Sequence, residues 1–390
     1  MTNTFRLGDI AVVFNGKTPA KSEQRSEGYP VLKIRDVDEE GAHRGAFGSY
    51  VDDQLAQKYR SKWIVPGDTL ILNAAHNADY VGSKTFFAGD SVANALPTGE
   101  WLIVRPGERA SAAYVNFWLR SRQTRDRIRF AVKGIHLYPK DVAALEISLP
   151  LLEEQRRMVD LLSRAEGIVR LRREAQRKAA ELVPALFLDM FGDPASNPKA
   201  WQTVSLSEVS TVGSGAGFPI ADQGRDTGDY PFYKVGDMNL PGNEEAMASS
   251  RNYIDEATRS RLRATAFPPG AVIFPKIGAA IATNKKRVLS IPSCVDNNVM
   301  AVVPSDRLLS SYLHALFMHA DLSDFASDSN PPSIRKTTIE AWRIPLPPVD
   351  LQRQFAAKAD AVRGIAAQQT AALATAQATF DALLHQSFQH

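Results

Sequence analysis

The tetrapeptide Asn330-Pro331-Pro332-Ser333, within SDSNPPSIRKTT (residues 327–338), is the part of this chain closest to catalytic chemistry. An Asn-Pro-Pro loop followed by an aromatic suits methyl transfer to the amine of a flipped base: the Asn and carbonyl oxygens accept from the amine, and the ring stacks on the base. Here the fourth residue is Ser333, with no ring to stack. Gly213-Ser214-Gly215-Ala216-Gly217 resembles the cofactor loop such an enzyme needs. A loop of that kind comes after a strand and opens a helix whose N-terminus faces the ligand. This glycine run leads instead into Phe218-Pro219 and the turn-rich IADQGRDTGDYP, without helical period. Between Gly217 and Asn330 the sequence offers a string of short strands, not the alternating strands and helices of a parallel sheet. The seven histidines lack metal-ligand spacing, and the single cysteine, Cys294, excludes an intramolecular disulfide or a cysteine-rich zinc site. It is expected to be a buried structural thiol. No nucleophile elbow or P-loop is present. The residue types point to a binding protein, with a catalytic amino-methyltransferase as the weaker alternative.

The elements that must position binding residues come as two copies of one unit. ISLPLLEEQR (147–156) is answered by IPLPPVDLQR (344–353), displaced by 197 residues, and the same displacement carries Ala185-Leu186 onto Ala382-Leu383 and Phe191 onto Phe388. YPVLKIRDV (29–37) is answered by YPFYKVGDM (230–238) at 201, and Pro66-Gly67 by Pro269-Gly270 at 203. Loop insertions between shared strands produce such a drift. Each copy is a globular region, about 5–145 and 201–341, succeeded by a long helix. Short apolar runs such as TLILN, EWLIVRP, AVIFPKI and NVMAVVP, separated by Gly, Pro, Asn and Asp, indicate strands and turns. One helix is expected in each globular region, at AAYVNFWLRSRQ and SSYLHALFMHA. The fold class is α+β, with strands dominating in the two globular regions. With 44% apolar and 23% charged residues, the composition is that of an ordinary globular protein of two or three domains. No apolar run approaches the ~20 residues that span a bilayer, and MTNTFRLGDI lacks signal-peptide features, so a cytoplasmic protein is expected.

The long segments carry a 4,3 spacing. In the second, Phe355, Ala359, Val362, Ala366, Gln369, Leu373, Ala376, Phe380 and Leu383 form a coiled-coil seam. In the first, Met158, Leu162, Ala165, Val169, Arg172, Gln176, Ala179, Val183 and Leu186 keep the same register. Alanine at seam positions lets the helices approach closely, whereas Arg172, Gln176 and Gln369 lower stability while penalising other alignments. Pro184 is expected to kink or disturb the first helix near its end. If a pseudo-twofold axis relates the copies, the helices form an intramolecular antiparallel coiled coil, a rod of roughly 50 Å separating two globular units.

The net charge of +3 is mild, but two stretches are locally basic. LRSRQTRDRIRFAVKGIHLYPK holds Arg120, Arg122, Arg125, Arg127, Arg129, Lys133 and Lys140 against one acid, Asp126. The other copy has Arg259, Arg261 and Arg263, then Lys276, then Lys285, Lys286 and Arg287, with Arg335 and Lys336 opposite the first cluster. Basic residues beside turns rich in Asn, His, Tyr and Gly suit phosphate contacts with base-reading side chains between them. The candidate DNA contacts are therefore Lys17, Thr18, Asn73, His76, Asn77, Lys84, Lys133, His136, Tyr138 and Lys140 in the first copy. In the second they are Lys276, Asn284, Lys285, Lys286, Arg287, Arg335 and Lys336. NAAHNADYVGSK (73–84) occupies the place of KIGAAIATNKKR (276–287), and the two share almost nothing. Divergent loops on one frame would read two different sequences, separated by a spacer of defined length.

Over its whole length the chain resembles the specificity (S) subunit of type I restriction-modification systems. The resemblance is carried by FRLGDIAVVFNGKTP and WQTVSLSEVSTVGSGAGFP, by the YPVLKIRDV and YPFYKVGDM pair, by the VPGDTLIL and PPGAVIF turns, by ISLPLLEEQRR and IPLPPVDLQRQ leading into the helices, and by LFLDMFGDP (186–194) after the first helix. Two features depart from the pattern: GAVIF lacks the acid present as Asp68, and SGAGFP is looser than GKTP, which bears on the first-loop contacts of the second domain. The resemblance implies two target recognition domains, 1–146 and 196–343, similar to the DNA-recognition domain of adenine methyltransferases. They are separated by a central helix segment, 147–195, that pairs with a C-terminal one, 344–390. It further implies no catalytic activity in this chain. Two modification subunits would bind through the helices to give an adenine-N6 methyltransferase, and restriction subunits would join them. S-adenosylmethionine, ATP and magnesium would belong to those partners, with no metal site here. A similar subunit serving another defence methyltransferase, such as a BREX-type system, is the alternative.

Overall fold

The computed structural model describes residues 3–389 and divides into two compact units, the described chain up to Arg173 together with that from Ala371 onward, and residues 174–370. The first unit runs β1 (Asn3–Arg6), α1 (Leu7–Ile10), β2 (Ala11–Asn15), β3 (Tyr29–Leu32), β4 (Tyr50–Val51), α2 (Asp53–Lys58), β5 (Thr69–Leu72), β6 (Thr85–Phe87), β7 (Leu96–Pro97) and β8 (Trp101–Pro106). Next come three short helices, α3 (Ala112–Arg120), α4 (Arg122–Ala131) and α5 (Pro139–Ala143), then β9 (Glu146–Leu149) and the long helix α6 (Leu152–Phe191). The second unit begins within α6 and repeats the plan with β10 (Thr203–Ser205), β11 (Ser210–Ser214), β12 (Tyr230–Tyr233), β13 (Ala246–Met247), β14 (Tyr253–Ile254), α7 (Glu256–Leu262), β15 (Val272–Pro275), β16 (Arg287–Leu289), β17 (Cys294–Val295) and β18 (Val299–Pro304). It closes with α8 (Ser310–Met318), α9 (Lys336–Glu340), β19 (Arg343–Pro345) and the long helix α10 (Val349–Ser387), whose end returns to the first unit.

The sheets match between units, except that β13 adds a fifth strand to the central sheet of the second. The first has the orders β2-β8-β5-β6, β4-β3-β7 and β1-β9; the second has β11-β18-β15-β16-β13, β14-β12-β17 and β10-β19. Even the register is kept, with Leu70 opposite Ile103 in one and Ile273 opposite Ala301 in the other. The central strands read as unbroken apolar runs because both faces are covered. In β5 and β8, Ile71, Leu102 and Val104 point to the α3 side, where Tyr114, Val115 and Trp118 lie, while Leu70, Leu72, Trp101 and Ile103 join a core with Leu32 and Phe86. Side-chain alternation along a strand requires that split. More helices form than the one expected in each globular region: α1, α2, α4 and α5 in the first and α7 and α9 in the second are short, and side-chain caps from Asp52, Ser121 and Asp255 begin α2, α4 and α7.

The repeated Gln of LPxxxxQ is the joint between each globular region and its helix. Gln155 is buried; its Oε1 accepts from the Ser111 amide at 2.8 Å and its Nε2 donates to the Pro150 carbonyl at 2.9 Å. Gln352 does the same in the second unit, accepting from the Leu309 amide at 2.8 Å and donating to the Arg307 and Pro347 carbonyls at 3.1 and 2.9 Å. Each thereby answers an amide just before α3 or α8 that has no partner within its own helix. Tyr114 and Tyr312 reinforce the joint by donating to the Ser148 and Pro345 carbonyls at 2.8 and 2.7 Å.

The long helices pack together within each unit. In the first, Leu162 and Val169 of α6 share a core with Phe380 and Leu384 of α10 and with Phe388 just beyond its end, with Met158, Ala165, Leu373, Ala376 and Leu383 half-buried against it. In the second, Phe187 and Phe191 of α6 pack with Phe355 and Ala359 of α10, flanked by Val183 and Leu186, and Ala179 is buried. Val362, Ala366 and Gln369 of α10 are half-buried there, and Gln176 donates to Thr370 Oγ1 at 2.9 Å. The early half of one helix thus meets the late half of the other, an antiparallel pairing. Pro184 does not end α6, which continues to Phe191. Proline inside a helix costs about 3 kcal/mol. Beyond it, Phe187 and Phe191 enter an aromatic cluster with Tyr312 and Phe355 at centroid distances of 4.8–5.8 Å, and burying two phenyl rings at about 2 kcal/mol or more each offsets that cost.

Asp68 is a structural acid, so its absence from the second copy bears on packing and not on first-loop contacts. Its carboxylate is buried, receives Arg105 Nε at 2.8 Å and Nη2 at 2.7 Å, and accepts from the Val65 amide at 2.9 Å. The second copy has Ala271, Val303 and Pro268 at these positions. The acid, its cation and the amide that needed it are all replaced, and Ala271 and Val303 join an apolar core instead.

Candidate nucleic-acid interface

In each unit the divergent loops gather at one end of the central sheet, and the same backbone bonds hold them. After β2, the Gly16 amide donates to the Trp101 carbonyl at 2.9 Å and the Lys17 amide to the Pro97 carbonyl at 2.8 Å. After β11, Gly215 and Ala216 donate to Val299 and Val295 at 3.2 and 3.0 Å. After β5, the Asn73 amide donates to Glu100 and the Asn73 carbonyl accepts from Leu137; after β15, Lys276 bonds Asn298 and Ile334 in the same way. The paired bridges Ala74–His136 and Ile277–Ser333 complete the correspondence. Asn330-Pro331-Pro332-Ser333 is therefore the counterpart of residues 133–136, lying against the segment after β15, where the Gly278 amide donates to the Pro332 carbonyl at 2.8 Å.

The glycine run proves more than a permissive turn. A Cβ on Gly215 would lie 2.0 Å from the Asp296 carbonyl oxygen, and one on Gly16 would lie 2.2 Å from that of Thr98. Both positions demand glycine because two backbones cross there, and Gly215 does not open a ligand-binding helix.

The candidate residues fall into two groups. Lys17, Thr18, His76, Asn77, Lys133, His136, Tyr138 and Lys140 are exposed at the edge in the first unit, as are Arg335 and Lys336 in the second. Thr18 Oγ1 accepts from the Gly99 amide at 2.9 Å, and Lys133 pairs with Asp141 at 2.9 Å. Lys62, which carries no signal in the sequence pattern, joins Lys17 here: it donates to the Asn15 carbonyl, and burial and then the Lys17 charge hold its ammonium below the usual lysine range.

The remaining candidates bond within the protein, and for Asn73 and Lys286, which are buried, this corrects their direct assignment to DNA. Asn73 is buried and donates to Asn15 Oδ1 at 2.9 Å; Lys276 makes the equivalent bond to Ser214 Oγ at 3.1 Å. Lys84 Nζ donates to the Val37 carbonyl at 2.6 Å, and its counterpart Arg287 donates to Met238 at 3.3 Å. Lys286 is 1% exposed, bonds Asn284 Oδ1 at 2.6 Å and the Ala320 carbonyl at 2.7 Å, and burial lowers its ammonium to about 8. Asn284 also accepts from the Leu322 amide at 2.9 Å, and Lys285 bonds Asn239. Backbone carbonyl oxygens engage Lys84, Lys286 and Arg287, so these cations help shape the edge. Arg259 likewise pairs with Glu256 at 2.6 Å and Arg261 with Asp222. Cys294 is buried and unpaired, its thiol pushed up to about 11 by burial. Among the described residues no cluster of His, Cys, Asp or Glu could hold a metal, and no helix is long and apolar enough to cross a membrane.

A duplicated frame with two different cationic edges fits a family model described as the type I restriction modification DNA specificity domain, which matches residues 2–180 and again 198–372. The chain belongs to this family. It is similar to a chain in a structure of the complex assembly and conformational transition of the type I R-M system, with 20% identity over 99% of this chain and 97% of that one and a TM-score of 0.63. It is also similar to the S subunit of the type I restriction-modification system from M. genitalium, at 12% identity over 100% and 96%, with a TM-score of 0.56. These likenesses concern the fold. No curated protein matches the chain. Within this family the chain is a non-catalytic DNA-recognition subunit.

Proposed function

We propose that the chain reads a bipartite, asymmetric DNA target, one half-site at the edge of each unit, with the spacer set by α6 and α10, and directs adenine-N6 methylation or restriction by partner subunits. One observation carries this reading: the backbone bonds that build the two edges are the same, while the exposed side chains differ, with His76, Asn77, His136 and Tyr138 in one and Arg335 and Lys336 in the other. One frame with two surfaces suits two unlike half-sites. Two modification subunits dock on the helices, where Leu161, Ile168 and Leu171 in the first unit and Leu182 and Ile365 in the second expose aliphatic surface outside the seam. Restriction subunits join that assembly in the cytoplasm, and S-adenosylmethionine, ATP and magnesium are bound by the partners.

The test is to co-express the chain with its modification subunits and map methylated adenines across a genome. A split motif is expected, and replacing His76, Asn77 and His136 by alanine should relax one half of it and leave the other half intact. A continuous motif, or equal relaxation of both halves, would refute the reading.

A further inference from the structure

The two copies differ most sharply in charge beside the reading edge. Residues 119–133, LRSRQTRDRIRFAVK, carry Arg120, Arg122, Arg125, Arg127, Arg129 and Lys133 with the single acid Asp126. The aligned residues 316–330, LFMHADLSDFASDSN, contain no lysine or arginine and three acids, Asp321, Asp324 and Asp328.

In the first unit most of this stretch is α4. Thr124 and Ile128 anchor one side of the helix in the core, while Arg122, Arg125 and Arg129, at i, i+3 and i+7, share an exposed face. Together with Arg120 they line a cleft of about 560 Å³ that also includes Asp126, Asp381 and His385. Arg120 is held by Glu166 at 2.5 Å, and Arg129 stands 4.0 Å from Asp79. Arg122 and Arg125 have no ion-pair partner among the described residues. The cleft is continuous with the edge, because Asp79 and Gly82 belong to the loop after β5 and α4 runs directly into Lys133–His136. In the second unit, by contrast, Arg259, Arg261, Lys286 and Arg287 all have internal partners.

Building on the DNA reading above, we propose that α4 of the first unit is a phosphate track for duplex lying outside the half-site, and that the second unit lacks one. The chain's sequence-independent hold on DNA is therefore one-sided: the first unit anchors, and the second contributes mainly base reading. Guanidinium groups in a row suit this role, since each can grip a phosphate through two parallel hydrogen bonds without reading sequence.

The test uses the full chain with its modification subunits and duplexes carrying the mapped target, trimmed on one flank or the other. Trimming one flank should weaken binding and trimming the other should not. Arg122→Gln/Arg125→Gln/Arg129→Gln should abolish that difference and lower the slope of log K against log salt by roughly 0.9 for each phosphate no longer neutralised. Asp324→Lys/Asp328→Lys in the second unit, at exposed positions, should create sensitivity to the other flank, so the test survives misfolding of the triple variant. Equal flank sensitivity, or an unchanged slope in the triple variant, overturns the proposal. So does a triple variant that binds DNA normally but loses its modification subunits, which would assign the cleft to a protein partner. Failure of the parent assembly to bind any duplex would instead overturn the DNA reading itself.

Discussion

Asp68, Arg105 and Val65 form one interaction that the second copy replaces as a whole, and this sets a test at the scale of residues. Removing one partner of a buried ion pair strands the other, at a cost of about 3–5 kcal/mol, whereas replacing the group with apolar residues can be neutral. Asp68→Ala should therefore lower stability by about 3 kcal/mol in urea denaturation, leaving the Val65 amide unanswered and Arg105 with only the Trp63 carbonyl. Val65→Pro/Asp68→Ala/Arg105→Val, which copies Pro268, Ala271 and Val303, should return to within about 1 kcal/mol of the parent. A triple variant as unstable as the single one would mean that the surrounding core does not accept the exchange. Gln352→Leu has no such compensation. It leaves the Leu309 amide and the Arg307 and Pro347 carbonyls without their partner, and a drop of about 3 kcal/mol is expected in the same assay.

At the scale of elements, the second unit is tied to its trailing helix by a titratable contact. Glu245, on the loop before β13, receives Arg363 of α10 at 2.5 Å, and buried His314 of α8 faces the same carboxylate at 3.9 Å. Burial holds His314 below the usual histidine range; Glu245 opposes that shift, and Arg363 and Arg287 add to it. A histidine depressed in the native state stays neutral while the unfolded chain takes up a proton, so stability is lost as pH falls from about 6.5 toward the native value, by at most about 1.4 kcal/mol per pH unit. Denaturation midpoints between pH 7.5 and 5 should fall more steeply in the parent than in His314→Gln, and parallel curves would show that His314 does not carry the effect. The two-copy plan, the long helices and their seam were legible because each rests on periodicity or self-similarity. The inward turn of Lys84, Lys286 and Arg287 was not, because sequence cannot tell whether an ammonium or guanidinium group meets a phosphate or a carbonyl brought in from 34 to 49 residues away. Helix α4 was missed for a related reason: its exposed arginine face carries almost no hydrophobic signal, and only Thr124 and Ile128 hold it down.

For the whole molecule, the proposed bipartite reading makes the length of the spacer between half-sites the quantity to test. Both long helices cross from one compact unit to the other, α6 between Arg173 and Glu174 and α10 between Thr370 and Ala371. Seven residues inserted at both points keep the heptad register of the seam and add about 10 Å, since an α-helix rises 1.5 Å per residue. At 3.4 Å per base pair that is about three base pairs. The variant should methylate the same two half-sites with a spacer about three base pairs longer, as read from methylated positions in cellular DNA. Inserting seven residues into α6 alone should abolish methylation, because the seam would then face α10 out of step on one side of the insertion. An unchanged spacer in the doubly extended variant would show that the partner subunits set the distance and that the helices only join the readers.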